Sequence, residues 1–170
     1  MISMILAGDL AWGIGKKDTK NGLPWKSIKE DFDHFVTETM KVGEMVAGVE
    51  TARAILRYTN GEPLKDRNMY VLSTKLESPL HPKIPVFKSI AQVNAHMNGR
   101  DYIVIGGAKT YEAYAPLVNK IILTVVHDIF PADTHFNPYI LMNFKIFHEK
   151  VLREQTEGKP KVTAHYYERK

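Results

Sequence analysis

The stretch NGLPWKSIKEDFDHF, residues 21–35, carries three acids, Glu30, Asp31 and Asp33. If the segment is helical, only one of them faces its apolar side. At about 100° per residue, Ile28, Phe32, Phe35 and Thr39 fall within roughly 60° of one another, and Asp31 lies about 40° from Phe35. Glu30 and Asp33 turn toward solvent. An ionised carboxylate on an apolar face costs on the order of several kcal/mol unless it is paired or takes up a proton. Two readings stay open: a partner elsewhere in the chain, such as an arginine or a backbone amide, or a planar, nitrogen-rich ligand whose edge offers two donors to the two oxygens.

A second candidate is YIVIGGAKTYEAYAPL, in which an apolar run ends in Gly106-Gly107 and a helical pattern follows at once. Glycines at a strand-to-helix turn let backbone N–H groups approach a phosphate, and the helix dipole favours its charge. The third glycine of a dinucleotide fingerprint is absent, so a tight turn without a ligand is an equal reading. Gly13-Ile14-Gly15-Lys16 does not make a phosphate loop, because Leu10 stands where its first glycine belongs and Lys17 where its metal-binding hydroxyl belongs. Seven histidines include no pair at i, i+4 on one helix and no His-Glu-x-x-His arrangement. No metal site is predicted, and no Gly-x-Ser-x-Gly elbow supports a serine hydrolase.

The elements that must position these residues alternate along the chain. Strands are predicted at Ile2–Ala7, Met45–Gly48, Met69–Ser73, Pro85–Phe87, Tyr102–Ile105, Lys120–His127, Lys145–His148 and Val162–Tyr167. Helices are predicted at Ile28–Met40, Glu50–Tyr58, Ile90–Met97 and Lys109–Pro116. The pattern predicts an α/β fold: a single domain over residues 1–170, about eight strands in a mostly parallel sheet, an antiparallel C-terminal edge strand, and helices on both faces. The segment Leu10–Leu23, with Gly13, Gly15 and Gly22, is long enough to be either a binding loop or a solvated connection.

The absence of cysteine excludes disulfides, thiolate catalysis and cysteine-ligated metal. MISMILAG is too short and lacks the basic leader of a secretory signal, and no run reaches transmembrane length, so a cytoplasmic protein without membrane contact is expected. The net charge of +4 attracts anions in general. No basic run is interleaved with aromatics, so nucleic acid is not the expected partner.

Taken together, MISMILAG with Ile14-Gly15, Leu23-Pro24-Trp25, Asp31 with Phe35, Gly48 with Thr51, Arg67, Leu72-Ser73-Thr74, VIGGAKTY and Asp133-Thr134-His135-Phe136 resemble dihydrofolate reductases in order and spacing. The resemblance implies NADPH-dependent reduction of 7,8-dihydrofolate to tetrahydrofolate by a monomer that antifolates would also bind. It implies that Asp31 binds the pterin 2-amino and N3 edge and promotes protonation at N5. Trp25 would hold a water near the reacting edge, Thr124 would hydrogen-bond Asp31, and Tyr111 would lie beside nicotinamide and pterin. Ile5, Leu6, Ala7, Phe35, Ile55 and Ile105 would line the substrate pocket, and Arg67 would bind the substrate's α-carboxylate. On the cofactor side the resemblance implies Ala7, Ile14 and Gly15 at the nicotinamide, and Gly48, Thr51 and Gly106, Gly107, Ala108, Lys109 and Thr110 around the phosphates. Ser73, Thr74 and Lys75 would meet the adenosine end. The bond matching Gly106-Gly107 is cis in this family, and Leu10–Leu23 would close over the nicotinamide.

The chain departs from the family pattern in GVETARA, where Val49 replaces an arginine that usually meets the cofactor's phosphates. Selectivity for NADPH over NADH is weakened by that exchange, and Lys75, ahead of Arg53 and Lys109, is the first choice to restore the charge. The added residues around Lys16–Asn21 and between Trp25 and Asp31 resemble the longer variants of the family.

Overall fold

The computed structural model describes residues 1–170. Its strands are β1 (Ile2–Asp9), β2 (Gly13–Gly15), β3 (Glu44–Ala47), β4 (Asn68–Leu72), β5 (Val86–Phe87), β6 (Tyr102–Gly106), β7 (Lys120–Val126), β8 (Thr134–His135), β9 (Phe144–Arg153) and β10 (Val162–Arg169). Its helices are α1 (Lys29–Val42), α2 (Val49–Tyr58), α3 (Ile90–Met97) and α4 (Ala108–Tyr114), with a 3₁₀ turn at Pro138–Asn143. Eight strands form one sheet in the order β5-β4-β3-β6-β1-β7-β10-β9, while β2 and β8 pair separately. The sheet is parallel except at β10, which runs antiparallel to both β7 and β9.

The period of two along the strands divides the core between the two faces. Met4, Leu6, Val46 and Val104 face α3 and α4 through Val93, Met97, Tyr111 and Tyr114. Ile5, Met45, Ala47 and Ile103 face the other way, toward Phe35 of α1 and Ala52 and Ile55 of α2. The mixed α/β architecture, the mostly parallel eight-stranded sheet and the helices on both faces are therefore as predicted. The C-terminal strand is antiparallel as expected, but it sits one place in from the edge, because the 154–161 connection carries the chain back between β7 and β9. The outermost strand, β9, is longer than its predicted Lys145–His148 core. Its exposed side chains mix Lys145, Glu149 and Lys150 with Ile146, Phe147 and Val151, and its register shifts against β10 make the edge irregular, which discourages pairing with another chain.

Helix α1 starts without a side-chain cap and stops at Gly43, whose φ of 80° is left-handed and whose N–H donates to the Thr39 carbonyl. One side of α1 packs its buried His34 and Glu38 against the sheet, with the Tyr166 hydroxyl donating to Glu38 Oε1 at 3.1 Å. The adjoining side, carrying Asp31, Phe35 and Thr39, looks along a cleft. Phe32, predicted on the apolar side, is 40% exposed and lies 5.9 Å from the Tyr58 ring. Asp33 is solvated and paired with Lys29. Glu30, expected in solvent, is only half exposed and lies 3.9 Å from Arg153 Nη1. No helix is long and apolar enough to cross a membrane.

Candidate active site

The carboxyl ends of parallel strands are where an open α/β sheet leaves a crevice, because the connections diverge there to opposite faces. In this chain the ends of β1, β3, β4 and β6 border a cleft of about 1190 Å³, which is larger than a pocket for one small ligand. Ile5, Leu6, Ala7, Ile14, Gly15, Asp31, Phe35, Ile55, Ile105, Tyr111 and Thr124 line it. Gly48, Thr51, Ser73, Thr74, Lys75, Gly106, Gly107, Ala108, Lys109 and Thr110 line the same cleft. The sequence-selected residues thus converge, with two exceptions. Trp25 is 4% exposed, packs against Phe130 with ring centroids 5.8 Å apart, and lines a smaller pocket that shares Asn21, Ser27 and Tyr58 with the cleft; its indole Nε1 has no protein acceptor. Arg67 stands outside the lining, just before β4.

Asp31 lies in the first turn of α1. Burial pushes its carboxyl up to about 6, and the Thr124 hydroxyl on β7 opposes part of that rise. The two other carboxylates in the lining have strong donors of their own. Glu50 pairs with Arg53 at 2.8 Å, and Asp133 accepts the Lys17 N–H at 2.8 Å. Asp31 is left with one hydroxyl and an open cleft before it, so its oxygens are available to an incoming pair of donors.

The opposite wall is built by close backbone approach. The Gly106–Gly107 peptide is cis, and Gly48 donates its N–H to the Gly106 carbonyl at 2.7 Å. A Cβ at Gly106 would stand 2.8 Å from Thr51 Oγ1, and one at Gly48 would stand 2.7 Å from Thr110 Oγ1, so neither position admits a side chain. The N-termini of α2 and α4 meet at this point, capped by Gly48 and Gly107 without side-chain acceptors. Converging N–H groups and two positive dipole ends suit a diphosphate. Val49 is the first residue of α2, so the basic side chains in the lining are Lys16, Lys17, Arg53, Arg57, Lys75 and Lys109.

Two supporting contacts are not legible in the sequence. The Tyr111 hydroxyl donates to the Ile5 carbonyl at 2.8 Å, which locks α4 to β1 across the cleft floor. Tyr111 was selected, but not for this bond. Thr39 was read as part of the apolar stripe, yet its Oγ1 accepts from Arg67 Nη1 at 2.9 Å, while Arg67 Nε donates to the Lys65 carbonyl at 3.1 Å. These two bonds aim the guanidinium, and a threonine in a stripe otherwise made of Phe and Ile was the only signal. Replacing Thr39 with Val is expected to raise KM for an anionic substrate about three- to tenfold with kcat unchanged, as for one lost hydrogen bond. Initial-rate kinetics measure the split.

The Leu10–Leu23 segment is tied to the 128–136 segment. Asp133 N–H donates to the Gly15 carbonyl at 3.0 Å, Phe136 N–H to the Trp12 carbonyl at 2.8 Å, and β2 pairs with β8.

A family model described as dihydrofolate reductase matches residues 1–169. The chain is 30% identical to the Bacillus subtilis dihydrofolate reductase over 147 residues, covering 86% of this chain and 81% of that one. It is 31% identical over 164 residues to a Mycoplasma pneumoniae protein named segregation and condensation protein A, covering 95% of this chain but only 29% of that protein's length. In three dimensions it is similar to an Enterococcus faecalis dihydrofolate reductase complexed with NADP(H) and RAB-propyl, with a TM-score of 0.83 at 22% identity over 99% of this chain and 96% of that one.

Proposed function

The chain belongs to the dihydrofolate reductase family, and we propose that it reduces 7,8-dihydrofolate to 5,6,7,8-tetrahydrofolate with NADPH, hydride arriving at C6 and a proton at N5. The observation that carries this reading is Asp31: a carboxyl pushed up to about 6 in an apolar cleft, without a strong protein donor, facing a glycine-built wall. The absence of room for a side chain at Gly48 and Gly106 fits a phosphate-bearing cofactor at that wall. When bound, the reduced nicotinamide supplies the hydride.

The chain's own groups do the rest. Asp31 accepts from the pterin 2-amino group and N3 edge, which fixes the ring and raises the proton affinity at N5 through a shared water held by the Trp25 Nε1–H. Thr124 keeps the carboxylate oriented. Ile5, Phe35, Ile55 and Ile105 exclude bulk water, so the proton is delivered from a positioned donor. Asp31 and Thr39 are separated by about 12 Å along α1 at 1.5 Å per residue. That span matches a substrate with its pterin on Asp31 and its glutamate α-carboxylate on Arg67. A flat antifolate with two donors on one edge would use the same carboxylate. The Leu10–Leu23 segment acts as the lid over the nicotinamide. The expected setting is a cytoplasmic monomer, without nucleic-acid or membrane partners.

Mixing the protein with NADPH and dihydrofolate is expected to bleach the near-ultraviolet absorbance of the reduced nicotinamide; no loss above the protein-free rate would overturn the reading. Run beside NADH, the same assay tests Val49. With Lys75 as the remaining cation at the adenosine end, NADPH is expected to be preferred only modestly. Val49→Arg is expected to lower KM for NADPH about tenfold while leaving NADH within about twofold, the gain of one charge-assisted bond to phosphate.

A further inference from the structure

Asp9 ends β1 as a 3% exposed carboxylate that the proposed chemistry does not use. Both of its oxygens are occupied, by different parts of the chain. Oδ1 accepts the N–H of Ala11 at 2.9 Å and of Gly13 at 2.8 Å, while Oδ2 accepts the N–H of Phe130 at 2.9 Å.

The Oδ1 arm brackets Trp12, whose φ of 65° is a left-handed conformation that bulky side chains rarely adopt. The Asp9 carbonyl also accepts the Trp12 N–H at 3.1 Å, so Trp12 is held from its own N–H and from both neighbours. A Cβ at Gly13 would stand 3.1 Å from Asp9 Oδ2 and 2.8 Å from Ala132 Cβ, so the carboxylate and the turn fit only with glycine there. Trp12 lies at the root of the Leu10–Leu23 segment, where the chain leaves β1 and enters β2. The Oδ2 arm holds the backbone of Phe130, whose ring lies 5.8 Å from the Trp25 ring at an interplanar angle of 57°. Phe130 packs on the small cluster of Trp25, Ile28, Val126 and Val162, which lies under the start of α1.

We propose that Asp9 is a positioning residue for the reductase site, fastening the root of the lid with one carboxylate oxygen and, with the other, the Phe130 backbone that seats Trp25. It touches neither substrate nor cofactor. Its effect on turnover rests on the reductase reading, but its effect on lid and indole does not.

Two variants separate the arms. Asp9→Asn can keep an oxygen facing Ala11 and Gly13 but presents an amide N–H₂ to the Phe130 N–H, which breaks only that bond. Asp9→Ala removes both arms. Limited trypsin digestion of the ligand-free protein reads the lid through Lys16, Lys17 and Lys20. Because Trp12 and Trp25 are the only tryptophans, emission in a Trp12→Phe background reads Trp25 alone. Asp9→Asn is expected to be cleaved at the wild-type rate, to shift Trp25 emission to the red, and to lower kcat about tenfold with KM for dihydrofolate unchanged, the factor for one lost hydrogen bond. Asp9→Ala is expected to be cleaved about tenfold faster as well. A melting curve shows whether each variant folds, and if Asp9→Ala does not, the Asp9→Asn pattern alone decides. Wild-type behaviour of Asp9→Asn in emission and kcat, or accelerated cleavage in that variant, would overturn the two-arm account. If the wild type consumes no NADPH, the reductase reading fails, and cleavage and emission still judge the role of Asp9.

Discussion

Replacing Asp31 with Asn is expected to slow turnover near neutral pH by about 10² to 10⁴, the usual contribution of a positioned acid, while making the ligand-free protein more stable. Both effects come from the same burial. The carboxyl sits at about 6 in the folded chain against 3.8 for an exposed aspartate. The folded state therefore holds this proton more tightly than the unfolded state does. Below the unfolded value both states are protonated and no charge is buried, so the pH-dependent cost vanishes. As pH rises through the interval from 3.8 to about 6 the unfolded chain ionises first, and stability is lost until the folded carboxyl ionises too. Above that interval the full cost of about 1–3 kcal/mol remains. Asparagine removes a charge of this kind and keeps the shape. Denaturant melts of the ligand-free proteins should show Asp31→Asn ahead by that amount at pH about 7.5 and level with wild type at pH about 3.5. A variant that lost activity together with stability at neutral pH would mark Asp31 as a structural acid.

The second large effect is expected at Arg67. Arg67→Leu should raise KM for dihydrofolate by about 10² to 10³ while kcat stays within a few-fold, because an ion pair with a distal carboxylate is made equally in the ground state and the transition state. Thr39 and the Lys65 carbonyl hold the guanidinium at Nη1 and Nε, which leaves Nη2 and the second hydrogen of Nη1 as a planar pair for a carboxylate. Arg67→Lys should recover only part of the loss, since an ammonium cannot reproduce that fork. A dihydropterin lacking the glutamate tail gives the control: its KM should be indifferent to Arg67. Initial rates with the two substrates decide the matter. An unchanged KM for dihydrofolate in Arg67→Leu would remove the carboxylate from this residue.

Local sequence was informative wherever a periodicity faced a large, uniform surface. The buried strands β1, β6 and β7 were legible because both faces of the sheet are covered, and Asp31 was legible as an outlier on the α1 stripe. The same stripe misled at Phe32, since a cleft and a core both call for apolar side chains, and at Glu30, whose Arg153 neighbour comes from β9. His34 and Glu38 are buried by Tyr166 of β10, and 128 residues separate Glu38 from that partner, so no local pattern announced them. The short pair β2 and β8 has no periodicity to detect. It forms because the Asp133 N–H meets the Gly15 carbonyl and the Lys17 N–H meets the Asp133 carboxylate. Within the site, the backbone-built wall at Gly48 and Gly106 could be suspected from the glycines, but its closeness to Thr51 and Thr110 is a property of the folded chain. Arg67 and Trp25 carry no local signal of function. Only their order relative to the other motifs singled them out, and both lie outside the cleft's lining, Arg67 beside Thr39 and Trp25 against Phe130.

The claim that Asp31 governs proton delivery is tested most directly by the rate of a single turnover as a function of pH in wild type and Asp31→Asn. The wild-type rate should level off at low pH, where the complex of pterin and Asp31 carries the reacting proton, and fall about tenfold per pH unit above the apparent pKa of that complex. In Asp31→Asn that level region should vanish, with the rate continuing to climb as pH falls because protons then arrive from solvent. An Asp31→Asn profile with the wild-type plateau and midpoint would contradict the account.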